Sequence, residues 1–134
     1  MGVIPRVSKQ SKVTAVVSVV AWLILASLSL TIAMIAAACE ARCIEAIDYE
    51  MSNAGEDIER LRRISRDAGI TMILSTHDFQ ETPPATVLEA RFGRAQQLGA
   101  DVAKVAVMPR DAEDVLTLLA ASHRASRTLS IPLI

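Results

Sequence analysis

The spacing of apolar and polar residues divides the chain into two parts. Residues 13–39 form one apolar run that contains no charged side chain. From residue 44 onward, short β-prone runs alternate with segments whose apolar residues recur at helical spacing; the runs are 46–50, 70–76, 102–108 and 131–134. Strands that alternate with amphipathic helices are typical of an α/β fold with a parallel sheet. The pattern therefore predicts an α/β domain over residues 44–134, whose sheet is either open or part of a barrel.

Three helices are predicted between these strands, and residues with known capping preferences mark their ends. The predicted starts are Asn53 with Glu56, Thr82-Pro83-Pro84, and Asp111 with Asp114; the predicted stops of the first two helices are Gly69 and Gly99. The predicted core-facing residues are Ile58, Leu61, Ile64 and Ala68, then Leu88, Phe92, Ala95 and Leu98, and finally Val115, Leu118, Leu119 and Ser122. Each helix thus has one apolar face that can pack on a sheet.

The N-terminal part of the chain allows two interpretations. The run 13–39 exceeds the roughly 20 apolar residues that span a bilayer as a helix, and a basic segment, residues 1–12, precedes it. One interpretation is a transmembrane helix that anchors the chain to a membrane. The other is a long buried helix in front of a cytoplasmic domain, although such helices normally keep a polar face.

Charge and cysteine content exclude two classes of function. The chain has 14 basic and 15 acidic residues and a formal net charge of −1, so it lacks the basic excess that nucleic-acid binding requires. Cys39 and Cys43 lie four residues apart, with no further cysteine or histidine nearby, which matches no common metal-ligand spacing. We therefore expect neither a nucleic-acid partner nor a metal site.

Equivalent positions of the predicted βα units recur every 27 residues, at Glu50, His77, Lys104 and Ile131. In parallel α/β folds the functional residues gather at the carboxyl ends of the strands. Glu50 and His77 are expected at those ends, and the long side chain of Lys104 can reach them from within its strand. Lys104 is unusual because it interrupts the apolar run 102–108, where a desolvated amine suited to attack on a ketone is expected.

Several of these segments resemble one enzyme family. They are Ile47-Asp-Tyr-Glu50, Ser75-Thr-His-Asp-Phe79, Thr82-Pro-Pro84, Gly99-Ala-Asp101, Lys104-Val-Ala-Val-Met-Pro109 and the helix 114–119. Together they are similar to the type I 3-dehydroquinate dehydratases. The resemblance implies that residues 44–134 form part of a (β/α)8 barrel of the TIM type, about strands 4–7 with their helices, preceded by the long apolar N-terminal helix.

The resemblance also implies a mechanism. Lys104 would form an imine with 3-dehydroquinate, and His77 would act as general base and then general acid in its dehydration to 3-dehydroshikimate, a step of aromatic amino-acid biosynthesis. Asp48 and Glu50 would be supporting hydrogen-bond partners, and Met108 would line the pocket. No metal or organic cofactor is implied, and the family's homodimer is a candidate assembly.

Other motifs of the family do not occur in this sequence. An early Glu-x-Arg strand end, an arginine followed by the acidic loop residue that orients the histidine, and a late arginine with a Ser/Gln lid are all missing. We therefore expect no turnover from the 134 residues alone. The alternative interpretation is an inactive, membrane-anchored remnant that serves at most as an interaction module. Asp78 is expected to hold the loop after the histidine, and Phe79 is expected to pack against neighbouring residues and not to contact substrate.

Overall fold

The computed structural model describes residues 30–134, which begin with the helical residues 30–40. Three βα units follow. They are β1 (Ala46–Glu50) with α1 (Gly55–Ala68), β2 (Thr71–Asp78) with α2 (Ala85–Gln97), and β3 (Val102–Val107) with α3 (Ala112–Ser126). The predicted alternation of strands and helices is confirmed.

The three strands form a parallel sheet in the order β1-β2-β3. The C-terminal residues continue it beside β3, since the Ala103 N–H donates to the Pro132 carbonyl at 3.0 Å and the Ile134 N–H donates to the Ala103 carbonyl at 2.9 Å. Ala103 and Leu133 form a parallel bridge. The predicted fourth strand is thus present as a short parallel segment.

The two faces of the sheet differ sharply in burial. On one face, α1 packs on β2, and α2 packs on β2 and β3. We call this the helix-covered face, and its buried strand residues are Ile47, Tyr49, Met72, Leu74, Ala103 and Val105. The strand residues that alternate with these form the open face, which includes Asp48, Glu50, Ile73, Ser75, His77 and Lys104. Of these six only Ser75 is buried.

The helix ends confirm most of the predicted caps. Gly69 adopts φ 73°, the left-handed conformation that ends α1. The Asp111 side chain accepts the Asp114 N–H at the start of α3. The capping box at Asn53 is wrong, because α1 begins after Ala54 without a side-chain cap. The Asn53 amide instead donates to the Glu50 carbonyl at 3.0 Å and stabilises the turn that leaves β1.

The core-facing residues are predicted well for α2 and poorly for α3. In α2, Leu88, Phe92 and Ala95 are buried as expected. In α3 the buried residues are instead Ala121 and Ala125. Val115 and Leu119, which were predicted to face the core, are exposed to 45% and 60%. Because α3 packs against α2, its contact uses small residues, and its leucine-rich side faces outward.

The amino end of the sheet is held by a bidentate ion pair. Arg62 of α1 contacts Asp101 at 2.6 Å and 2.9 Å, and Asp101 also accepts the Met72 N–H of β2 at 2.8 Å. Burial raises the pKa of Asp101, but these hydrogen bonds and the charge of Arg62 outweigh it and lower the pKa overall. This carboxylate therefore ties α1 to the strands beside it.

Most of the predicted N-terminal segments lie outside the described residues. This applies to the basic segment 1–12 and to residues 13–29 of the predicted apolar helix 13–39, whereas residues 30–39 of that run are helical. Within residues 30–134, no helix is long and apolar enough to cross a membrane. Residues 35–134 form one compact unit, which contains all three βα units.

Candidate active site

Four charged side chains converge on the open face. Glu50 is the last residue of β1, His77 is the last but one of β2, and Lys104 lies in the middle of β3. Asp48 precedes Glu50 by two residues and therefore points to the same side of the sheet. The structure brings these predicted site residues together at one face of neighbouring parallel strands.

The strand register is staggered relative to the interval of 27 residues. Glu50 pairs with Ser75, and Ser75 pairs with Lys104. His77 therefore lies one side-chain step nearer the carboxyl edge than Lys104 on the same face, opposite Ala106. The sequence interval groups the right residues but does not predict which of them are direct neighbours.

Lys104 and Asp48 form the first ion pair of the site. The Lys104 Nζ lies 2.7 Å from Asp48 Oδ2. Burial raises the pKa of Asp48, but hydrogen bonds from Lys104 and Ser75 and the electrostatic influence of Lys104 and of His77 lower it overall. Asp48 is thus held as a carboxylate that keeps the lysine side chain on the open face.

The expected desolvated amine at Lys104 is wrong. Its side chain is 30% exposed and carries an ion pair. The apolar neighbours that suggested desolvation, Val105 and Ala103, point to the opposite face and are buried under the helices. Alternation along the strand separates Lys104 from its own sequence neighbours.

His77 and Glu50 form the second close contact of the site. The His77 Nδ1 lies 2.5 Å from Glu50 Oε2, and both side chains are about 30% exposed. A carboxylate at Nδ1 favours the neutral tautomer with its proton on Nδ1, which leaves the lone pair on Nε2. Although the family's acidic loop residue is missing from the sequence, the carboxylate of Glu50 therefore orients this imidazole.

The loop after β2 is fixed by Asp78, as predicted. Its Oδ1 accepts the N–H groups of Gln80 and Glu81, each at 3.2 Å, and its Oδ2 contacts Arg91 of α2 at 3.2 Å. The backbone hydrogen bond from Gln80, the contact with Arg91 and the bond from Glu81 together lower the pKa of Asp78. One carboxylate thus connects the turn to the helix behind it.

Phe79 lies beside His77 as an exposed residue. Its side chain is 77% exposed, and its ring stacks on the His77 imidazole with the centroids 5.7 Å apart and an angle of 6° between the planes. Met108 is also exposed, at 48%, and its carbonyl accepts the Thr82 hydroxyl at 3.3 Å. The predicted pocket residue Met108 is therefore connected to the same loop.

Ser75 is a site residue that sequence reasoning did not single out. It is 2% exposed, pairs with Lys104 in the sheet register and helps to lower the pKa of Asp48. Its position two residues before His77 was the available signal, since that spacing puts both on one face. His123 and Arg110 are exposed surface residues.

Comparison with known proteins identifies the family of the chain. A family model described as type I 3-dehydroquinase matches residues 26–134, which includes the second half of the run 13–39. The chain is 50% identical over 103 residues to the 3-dehydroquinate dehydratase of Albidiferax ferrireducens, a match that covers 77% of this chain and 39% of that relative. It is 44% identical over 101 residues to the enzyme of Geobacillus kaustophilus, covering 75% and 39%.

Solved structures give the same result. The type I 3-dehydroquinate dehydratase of Clostridium difficile superimposes with a TM-score of 0.77 and 30% identity, covering 79% of this chain and 42% of that one. The Geobacillus kaustophilus structure gives a TM-score of 0.75 and 42% identity, covering 78% and 40%. The chain therefore spans about two fifths of the length of the curated relatives it matches. It belongs to the type I 3-dehydroquinase family.

Proposed function

We propose that residues 44–134 carry the Schiff-base chemistry of a 3-dehydroquinate dehydratase and correspond to about strands 4–7 of the family's (β/α)8 barrel. The observation that carries the proposal is the convergence of Lys104 and His77 on the open face, each held by its own carboxylate. An amine nucleophile beside an oriented general base is the minimum that imine-based elimination requires.

In the proposed reaction, the neutral Lys104 amine attacks the ketone carbon of 3-dehydroquinate, and loss of water from the adduct leaves a cationic imine. The imine acidifies the adjacent C–H, from which the Nε2 of His77 removes a proton. The electron pair of the C–H bond moves into an enamine. The enamine then returns this pair to expel the hydroxyl group, which leaves as water with the proton from His77, and the cationic imine is restored. Hydrolysis of the imine releases 3-dehydroshikimate and restores Lys104.

The remaining residues of the open face have supporting roles in this proposal. Asp48 positions the Lys104 amine and is the acceptor in contact with it when the ammonium loses its proton. Glu50 keeps the lone pair of His77 on Nε2 and stabilises the imidazolium that forms after proton removal. Met108 lines the substrate pocket at the carboxyl edge of β3.

The relatives give two kinds of support. The two relatives described above are 3-dehydroquinate dehydratases by name. The Clostridium difficile structure contains a covalently modified comenic acid. We extend the substrate and the covalent step to this chain through Lys104.

Borohydride trapping tests the proposal. Borohydride added with 3-dehydroquinate should reduce an imine and fix the substrate on Lys104. Lys9 and Lys12 are the other lysines of the sequence, so mass analysis of a digest separates them from Lys104. Lys104→Met should abolish the adduct, whereas His77→Ala should retain part of it because imine formation depends on the amine more directly than on the base. An adduct on Lys9 or Lys12 would contradict the assignment.

Turnover needs a separate test. The chain alone should not turn over substrate, since the family's motifs for holding the substrate carboxylate do not occur in its sequence, and positioning contributes on the order of 7–11 kcal/mol to catalysis. Replacing the matched stretch of the Albidiferax ferrireducens enzyme with this chain's residues supplies the rest of a barrel. In that chimera, His77→Ala should slow turnover by about 10²–10⁴-fold. A chimera that folds but neither traps nor dehydrates substrate would favour the alternative of an inactive remnant.

A further inference from the structure

The His77 imidazole needs more than one contact to hold its orientation. A single hydrogen bond at Nδ1 fixes the position of one ring atom but leaves the ring free to tilt about the line joining that atom to Glu50 Oε2. The terminal torsion of a histidine side chain has broad energy wells and does not restrict this motion by itself. A base that must meet a C–H bond has to be held within about 10–20° of its productive orientation.

Phe79 supplies a second contact. Its ring lies parallel to the imidazole, with 5.7 Å between the centroids and 6° between the planes. These values fall in the range of offset-stacked aromatic pairs, which contribute about 0.5–1.5 kcal/mol. The Phe79 side chain is 77% exposed, so burial does not explain its position. The parallel ring lies against the imidazole with an offset and opposes the tilt that the Glu50 contact allows.

The backbone that carries Phe79 is itself anchored. Asp78 accepts the N–H groups of Gln80 and Glu81 and contacts Arg91, so the turn is tied to α2. On the other side, the Met108 N–H donates to the Glu81 carbonyl at 3.4 Å. Because this turn is restrained by hydrogen bonds, the aromatic ring that it carries can keep a fixed position beside His77. On a flexible loop the ring would move with the backbone.

From these contacts we propose that Phe79 is a positioning residue, which holds the plane of the His77 imidazole while Glu50 holds its Nδ1. The proposal rests on the proposed role of His77 as general acid and base. It adds that the two motions of the ring are restrained by different residues, the rotation in the plane by a carboxylate and the tilt out of the plane by an aromatic face. Asp78 acts one step further away by holding the turn.

Histidine NMR on the full chain tests this proposal without requiring turnover. The sequence contains two histidines, His77 and His123, and the exposed His123 on α3 serves as an internal control. In Phe79→Leu, which keeps an apolar side chain but removes the ring, the ring-proton signals of His77 should shift and the order parameter of its imidazole should fall. The His123 signals should stay in place. Phe79→Tyr, which restores an aromatic face, should return both quantities towards the wild-type values.

A matched pair at Asp78 tests the anchoring. Asp78→Ala removes both acceptor oxygens of the turn and should loosen the His77 ring in the same direction as Phe79→Leu. Asp78→Asn keeps one acceptor oxygen and should have a smaller effect. An imidazole order parameter that stays unchanged in Phe79→Leu would overturn the proposal, even if the chemical shift moves. A change in the chemical shifts of His123 in Phe79→Leu would also overturn the proposal, because Phe79 would then stabilise the fold as a whole.

The outcome is independent of the Lys104 chemistry. If borohydride trapping fails but the order parameter of the His77 imidazole falls in Phe79→Leu, the proposed function is contradicted and the positioning role of Phe79 is supported. If trapping succeeds but that order parameter is unchanged, the proposed function is supported and the positioning role is contradicted.

Discussion

The helix-covered face and the open face of the sheet are made by the same three strands, yet they have opposite characters. The buried strand residues of the covered face are apolar and at most 7% exposed. The open face carries the ion pair of Lys104 with Asp48 and the hydrogen-bonded pair of His77 with Glu50, whose side chains are 28–38% exposed. Because successive residues of a strand point to opposite sides, each strand contributes to both faces. Residues that stabilise the fold and residues that form the site therefore alternate along the same strands and do not come from separate regions of the chain.

The largest expected difference concerns the two phenylalanines of the chain. Phe92 is 1% exposed in the core beneath the covered face, and Phe79 is 77% exposed beside the site. Phe92→Ala should lower the free energy of unfolding by about 3–5 kcal/mol through lost burial and a cavity. Phe79→Ala should change it by at most about 0.5 kcal/mol. Urea unfolding followed by circular dichroism measures both, and equal losses would break the comparison.

The next effect concerns Asp101, which ties α1 to the sheet. Asp101→Asn should cost about 1–2 kcal/mol at neutral pH, towards the low end for charged hydrogen bonds because the side chain is 38% exposed. Its pKa is lowered in the folded state. Its stabilisation is therefore present above the unfolded-state pKa of about 3.9 and is lost as the pH falls through the folded-state value.

The wild-type chain and Asp101→Asn should accordingly approach the same stability in acid, as seen in urea midpoints measured at several pH values. Glu89→Gln, at the more exposed pair with Arg124, is the matched control and should cost no more than about 1 kcal/mol. A penalty for Asp101→Asn that grows as the pH falls would contradict this linkage.

A smaller effect on stability than that of Asp101→Asn is expected on the open face. Asp48→Asn removes the charge that pairs with Lys104, but the pair is partly exposed, so the free energy of unfolding should change by no more than about 1 kcal/mol. The yield of the borohydride adduct on Lys104 should fall, because the amine loses the residue that positions it. A large loss of stability in Asp48→Asn would show that the open face also stabilises the fold. The two faces would then not differ in their contribution to stability.

Some features of the fold followed directly from local patterns. The alternation of β-prone and amphipathic segments predicted three βα units, and Gly69 and Asp111 marked helix ends correctly because their backbone and capping preferences act over a few residues. The predicted capping box at Asn53 was wrong because the Asn53 side chain donates to the Glu50 carbonyl of the preceding turn. The apolar stripe of α3 failed because the neighbouring helix decides which side of a helix is covered, and apolar spacing alone does not identify that neighbour.

The site, like the fold, was predicted only in part from the sequence. The sequence and its family resemblance singled out Asp48, Glu50, His77 and Lys104, since charged residues inside β-prone runs are unusual enough to be noticed. The sequence by itself thus determined which residues are available for chemistry, and strand alternation placed them on one face. The pairing of Lys104 with Asp48, the contact of Glu50 with His77 and the stacking of Phe79 on the imidazole depended on the stagger between strands and the path of one loop. Only the tertiary structure decided these contacts, because register and loop path are set by packing between segments that are distant along the chain.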